Sequence, residues 1–239
     1  MNRTQRLEVQ AKEDVMGNVI ADRLIHPVPA RKLVGAARDT TLPVDVTRPA
    51  KIGPNAILQL IAVMREEQHD RWLRDIFYRS GLSAMLLEPP TEMVDETAVA
   101  DLYKALFERL PPAAASRIAA KAGIYTARYI LAHRIPKPVK IILKLLPSRW
   151  SAPLLLRAIQ RHAWTFAGSG KTSVVTGNEL AIEIAANPIA MPGCVWHGAV
   201  FETLLRRLVS AKASVRQTDC CRNGAPACRF EIALSDRQR

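Results

Sequence analysis

Apolar residues return at helical spacing through the first two thirds of the chain and switch to short alternating runs near Trp164. Gly53-Pro54 is a favourable helix entry, and Ile57, Leu60, Ile61 and Met64 behind it form one stripe. A second helical piece is expected from His69 to about Arg79, stopped by Gly81, with a break at Glu88 to Pro90. Asp95 opens another, with Val99, Leu102, Leu106 and Leu110 on one side and Pro111-Pro112 as its end. The alanine-rich run from Ala113 to Ile135 reads as a long helix weakened at Gly123. Beyond Pro136 and Pro138, "VKIILKLLP" and "WSAPLLLRAIQRHAW" predict two amphipathic segments.

After Trp164 the period shortens. "WTFAG", "TSVVTG" and "LAIEIAA" read as strands separated by glycine or polar turns. Trp196, Val200, Leu204 and Leu208 restore a helical stripe, and "ASVRQTDCCRNGAPACRFEIAL" predicts a hairpin with Asn223-Gly224 near its tip. The expected class is therefore α+β: a helical part over residues 51–162 packed on a small antiparallel sheet with a crossing helix over 163–235. Residues 1–50 carry Pro27, Pro29, Pro43 and Pro49 and no sustained period, which marks an arm ordered only by docking on the body.

Composition narrows the partners. The chain has 239 residues, 49% hydrophobic and 23% charged, with a net charge of +12. Such a surface favours an anionic small molecule, an anionic membrane face or nucleic acid. Aromatic residues are only 5% and do not interleave with the basic ones, which argues against a nucleic-acid platform. No apolar run reaches the roughly 18 residues needed to span a bilayer, and the first residues lack a signal-peptide core. A cytoplasmic protein is expected, with peripheral contact at an anionic membrane as the alternative.

"FAGSGKTSV" imitates a nucleotide-binding loop, but Thr165 stands where its first glycine should be. The β-branched residues after Lys171 also deny it the helix whose free N–H groups would hold phosphate. Gly168-Ser169-Gly170 is expected instead as a hairpin turn between strands, and no nucleotide site is found. Glu179, Glu183 and Glu202 have no evident catalytic partner.

The cysteines are the strongest chemical feature. Cys194 precedes the last helix, while Cys220 and Cys228 flank the Asn-Gly turn, so hairpin closure can bring three thiolates together. A structural zinc ion suits such donors, with the fourth ligand from Cys221, Asp219, His197 or water. The plainer alternative is three small buried residues and one exposed thiol. His162, beside Trp164, and His197, beside Trp196, are candidate ligands for the metal of a tetrapyrrole.

"IGPNAILQL", "HAWTFAGSG", a cysteine-led helix and "CCRNGAPACRFEI" together resemble the 4-vinyl-reductase domain family of bacteriochlorophyll synthesis. The resemblance covers about residues 50–235 and is strongest over 162–232. It implies a small-molecule-binding module similar in fold to vesicle-trafficking subunits and haem-type nitric oxide sensors. It also implies a zinc site at Cys194, Gln217, Cys220 and Cys228, where Gln217 replaces the family's glutamate and leaves Asp219, Cys221 or His197 as substitutes. The implied activity is reduction of the 8-vinyl group of divinyl protochlorophyllide or chlorophyllide, a Mg-porphyrin that serves as substrate or ligand.

Reduction of a vinyl group needs a nicotinamide, flavin or iron–sulfur donor, and the sequence displays no motif for one. The reading preferred on chemistry is a tetrapyrrole-binding carrier or accessory protein that works with pigment-pathway enzymes at the photosynthetic membrane. A vinyl reductase fed by an external electron donor is the alternative, and a non-catalytic protein-interaction module the second. The expected ligand-binding residues are His162, Trp164, Lys171, Trp196 and His197, beside an apolar cavity. A homodimer is an expectation of the family alone.

Overall fold

A computed structural model describes residues 50–234, which belong to one compact unit, Val46–Arg239. The arm expected over residues 1–50 lies, except for Ala50, outside the described residues. The helical part comprises α1 (Asn55–Glu66), α2 (Asp70–Arg79), the single turn α3 (Ala84–Leu87), α4 (Glu96–Arg109), α5 (Pro112–His133), α6 (Lys137–Leu145) and α7 (Ser148–Arg161). A short antiparallel ladder, β1 (Lys51–Ile52) against β2 (Val94–Asp95), ties the start of this part to α4.

Local chemistry sets the helix starts. Asp95 caps α4 by accepting from Thr97 N at 2.8 Å. Pro111, Pro136 and Pro147 stand immediately before α5, α6 and α7 in nearly identical extended geometry, with ψ of 139°, 143° and 146°. Proline fixes φ and gives up an N–H that has no partner at a helix entry, so each one ends a connection and begins the next helix.

The sheet follows. A helical turn, α8 (Trp164–Ala167), leads into β3 (Lys171–Val175) and β4 (Ala181–Ala185); α9 (Val195–Leu208) crosses; β5 (Ser214–Asp219) and β6 (Ala227–Ala233) complete it. The strand order is β3-β4-β6-β5, all antiparallel. Ile182, Ile184, Cys228, Phe230 and Ile232 are buried, whereas Glu183, Arg229 and Glu231 alternate with them on the other face. There Arg229 gathers Glu183, Glu179 at 3.2 Å and Glu231 at 3.9 Å. Glu202 pairs with Arg206 at 3.1 Å and accepts from Val215 N at 3.1 Å. The three glutamates considered as proton carriers are thus held in ion pairs.

α9 lies between the sheet and α5. Trp196, Val200, Phe201, Leu204 and Leu208 are buried on it. α5 crosses α9 at Gly123, where an added Cβ would overlap the Trp196 carbonyl and lie 3.0 Å from Ala199 Cβ. The glycine that weakens the helical pattern is therefore what lets the two helices approach.

Two expectations are corrected. "WTFAG" is a helical turn rather than a strand: Phe166 N and Ala167 N both donate to Ala163 O, at 2.9 and 2.7 Å. A run this short is too brief for periodicity to separate strand from helix. Gly168-Ser169-Gly170 consequently joins a helix to β3 instead of linking two strands. Among the described residues no helix is long and apolar enough to cross a membrane.

Candidate metal centre

The approach to α9 is built from unusual backbone. Gly193 and Cys194 both have positive φ, 67° and 36°, and Cys194 N donates to Met191 O at 2.8 Å. A left-handed non-glycine residue costs on the order of 1–3 kcal/mol and persists where its surroundings require it. Here it sets the Cys194 thiol at the amino end of α9, beside the hairpin. The β5–β6 register slips between Gln217 and Asp219, and the chain turns through a helical turn at Cys221–Asn223 with Gly224 at φ 88°. That irregularity buries Cys220 alongside Cys228.

Cys194, Cys220 and Cys228 are buried, and their sulfur atoms all lie within 4.8 Å of one another. Cys194 Sγ is 3.7 Å from Cys220 Sγ and 3.5 Å from Cys228 Sγ. A disulfide would require about 2.05 Å. A tetrahedron with metal–sulfur bonds of about 2.3 Å has sulfur–sulfur edges of about 3.8 Å. The triad is thus spaced as three corners of a single zinc-type coordination polyhedron, which fits the structural zinc ion expected from the donor set.

The surroundings favour thiolate. Cys228 Sγ accepts from Cys221 N at 3.3 Å and from Asn187 Nδ2 at 3.5 Å, while Asn187 Oδ1 accepts from Ile189 N at 3.2 Å. With no metal present, Cys194 shares its proton with Cys228. The hydrogen bond from Cys194, aided by the Cys221 and Asn187 donors, brings the Cys228 thiol below its ordinary range against the opposing effect of burial. The same hydrogen bond and burial push Cys194 up. A bound cation would displace that shared proton.

The fourth corner is not a protein carboxylate. Asp219 pairs in register with Arg229 on the outer side of the sheet, is exposed, and accepts from Thr218 Oγ1 at 3.1 Å. Cys221 directs its sulfur to Ile184 O at 3.8 Å, so its contribution to the triad is its backbone N–H. Gln217 pairs in register with Phe230, two residues along β6 from Cys228, and its buried Nε2 has no hydrogen-bond partner.

The expected ligand-binding residues fall into two groups. His162, Trp164 and Lys171 are exposed around the end of α7, α8 and the first residue of β3, elements joined by a bond from Gln160 Nε2 to Thr172 O at 3.2 Å. Trp196 and His197 are buried instead. His197 lies among Phe166, Trp196, Phe201 and Phe230, with ring centroids 5.0–6.3 Å away. Its Nε2 donates to Phe166 O at 3.1 Å, leaving Nδ1 as a buried lone pair without a partner. Burial depresses the imidazole to about 4, only partly offset by that carbonyl.

This aromatic packing fills the seam where an apolar cavity was expected. A cleft lined by Tyr103, Phe107, Met191 and Arg222 has about 20 Å³, enough for about one water molecule. The glycine turn is also filled. Ser169 donates from its backbone N and its Oγ to the Glu96 carboxylate, at 2.7 and 2.8 Å, and a Cβ on Gly168 would overlap Glu96 Oε2. The groups that might have met a phosphate hold the chain's own anion. Glu96 precedes that turn by more than seventy residues, so no local motif could reveal it.

Residues 179–234, which contain all four cysteines, match the V-4-R domain family, the domain named after 4-vinyl reductase. Over 195 residues the chain is 45% identical to the bacteriochlorophyll synthase 23 kDa chain of Cereibacter sphaeroides, covering 78% of this chain and 92% of that protein. The chain belongs to that family. The bacteriochlorophyll synthase 23 kDa chain of Rhodobacter capsulatus is 37% identical over 189 residues, with 76% and 86% covered. A protein of the bacteriochlorophyll pathway carrying a V-4-R domain is thereby established. The fold is also similar to that of an Fe(II) unliganded H-NOX protein from K. algicida. That likeness, with TM-score 0.50 and 10% identity over 78% of this chain and 98% of the other, concerns the fold alone.

Proposed function

We propose that this member of the bacteriochlorophyll synthase 23 kDa chain family binds a Mg-porphyrin intermediate, divinyl protochlorophyllide or chlorophyllide, and presents it to other enzymes of the pathway. It acts as a carrier or accessory protein, not as a self-sufficient vinyl reductase. The observation that carries this reading is how the two features suggestive of redox chemistry are committed. The glycine turn is closed by Glu96, and the three thiols are spaced for one metal ion. A polynuclear iron–sulfur cluster would need its cysteines distributed around several irons. Three thiolates enclosed in the core at the root of α9 suit a structural ion that fastens the β5–β6 hairpin to that helix.

The pigment seat consists of the exposed rim at the end of α7. His162 offers an imidazole to magnesium, Trp164 a flat apolar face to the macrocycle, and Lys171 a cation to a propionate. A macrocycle would need hundreds of cubic ångströms if it were enclosed, so it docks on this rim or requires the seam at His197 to open. In the second case the bare Nδ1 of His197 is the group that meets it.

Titration of the full chain with divinyl protochlorophyllide, followed by absorbance and Trp fluorescence, tests the seat. Trp164→Ala and Lys171→Gln should each weaken binding about tenfold, the equivalent of about 1.4 kcal/mol. Unchanged affinity in both, with an intact fold, would remove the rim. Complete absence of pigment binding by the unaltered protein would leave the protein-interaction reading.

A further inference from the structure

The net charge of +12 has a single location in the sequence. Residues 109–178 contain twelve Lys and Arg and no Asp or Glu, and outside them 22 basic residues face 22 acidic ones. α6 and α7 lie in the middle of this stretch. On α6, Leu143 is the one buried residue, and it faces the body of the protein. The opposite side of that helix carries Ile141 and Leu145, 57% and 79% exposed, with Ile142 beside them at 55%. On α7, Ala152, Leu155, Leu156 and Ile159 turn inward, and Trp150, Leu154, Arg157 and Arg161 turn outward.

Surface helices usually show the reverse arrangement, apolar inward and polar outward. Here a second apolar stripe faces outward, flanked by the exposed Lys137, Lys144 and Arg149. Among the described residues none of these cations, nor Arg157 or Arg161, forms an ion pair with the protein's own carboxylates.

We propose that the α6–α7 hairpin docks the protein on the surface of an anionic phospholipid bilayer. Ile141, Leu145 and Trp150 enter the headgroup boundary while the surrounding cations meet lipid phosphates. Apolar residues with an interfacial Trp and long basic side chains are the combination that holds an amphipathic helix in the plane of a membrane. The charge selects among occupants. A second copy of the chain would bring two uncompensated basic faces together, and a nucleic acid would give the apolar stripe nothing to enter. Neither the rim at His162 nor the cysteine triad takes part in this contact, so it is independent of the identity of the pigment.

Flotation of the full-length protein with vesicles provides the test. Vesicles of equal phosphatidylglycerol and phosphatidylcholine should retain at least about ten times more protein than phosphatidylcholine alone at 0.1 M salt, and most of that preference should vanish at 0.5 M. Ile141→Ser, Leu145→Ser and Trp150→Ser combined should lower retention about tenfold or more. Lys137→Gln, Lys144→Gln and Arg149→Gln combined should remove most of the salt dependence. All six side chains are exposed, so thermal unfolding should be nearly unchanged.

Equal retention on both vesicle types would overturn the proposal, as would triple variants that bind like the original chain. Self-association in sedimentation velocity that the serine variant abolishes, without vesicle binding, would identify a protein interface and overturn it as well. If a variant fails to fold, the comparison of the two vesicle types with the unaltered chain still decides.

Discussion

Replacing His197 with phenylalanine should flatten the acid side of the protein's stability profile. The imidazole titrates near 6.5 in an unfolded chain and near 4 where it is buried against Phe166, Phe201 and Phe230. Its folded value is the lower one, so between these two pH values the unfolded state binds more protons and stability rises with pH. The contribution is present in full above about pH 6.5 and is lost progressively as the pH falls toward 4. At pH 5 the loss relative to pH 7 is about 2 kcal/mol, a large part of a typical domain's stability.

The assay is urea unfolding of both proteins at pH 5, 6 and 7. Phenylalanine removes the bond to the Phe166 carbonyl and should cost about 1–3 kcal/mol at neutral pH. Glu66, Glu67 and Asp75, whose carboxyls are also lowered, are common to both proteins and cancel in the difference. The original chain should therefore lose about 2 kcal/mol more than the variant between pH 7 and pH 5. Equal losses would refute the placement of a neutral imidazole in the core.

Gly123→Ala should destabilise the protein by about 1–3 kcal/mol in spite of alanine's better helix propensity, because the methyl group meets the Trp196 carbonyl and Ala199. A neutral or stabilising result in thermal unfolding would mean that α5 and α9 do not cross so closely. Cys228→Ser should remove about one zinc equivalent measured by elemental analysis and lower the melting temperature, with a comparable change in the unaltered chain on treatment with a strong chelator. Cys221→Ser should keep the zinc, because its backbone N–H rather than its sulfur serves the triad.

The sequence conveyed the helical part well, because the apolar period over Ile57–Met64 and Val99–Leu106 coincides with the face the core needs. It conveyed the cysteine triad because a hairpin must bring its arms together, so Cys220 and Cys228 could be placed beside the start of a packed helix. Other features depend on distant partners. The Ser169–Glu96 contact joins residues 73 apart. The β5 bulge, which buries Cys220 and leaves Asp219 on the outer face, arises from sheet register rather than residue type. The helical pattern of α6 was legible, but periodicity cannot tell which of two apolar sides faces the protein. Likewise Trp196 and His197 read as pigment contacts, whereas the packing of α9 between α5 and the sheet encloses them.

The central claim is that the protein holds a pathway pigment without transforming it. Purified, metal-replete protein incubated with one equivalent of divinyl protochlorophyllide, with NADPH or reduced ferredoxin supplied, tests this directly when pigment and protein are recovered and the 8-vinyl group is quantified. A stoichiometric complex with the vinyl group intact is the expected result. Catalytic conversion of vinyl to ethyl by the purified chain would contradict it.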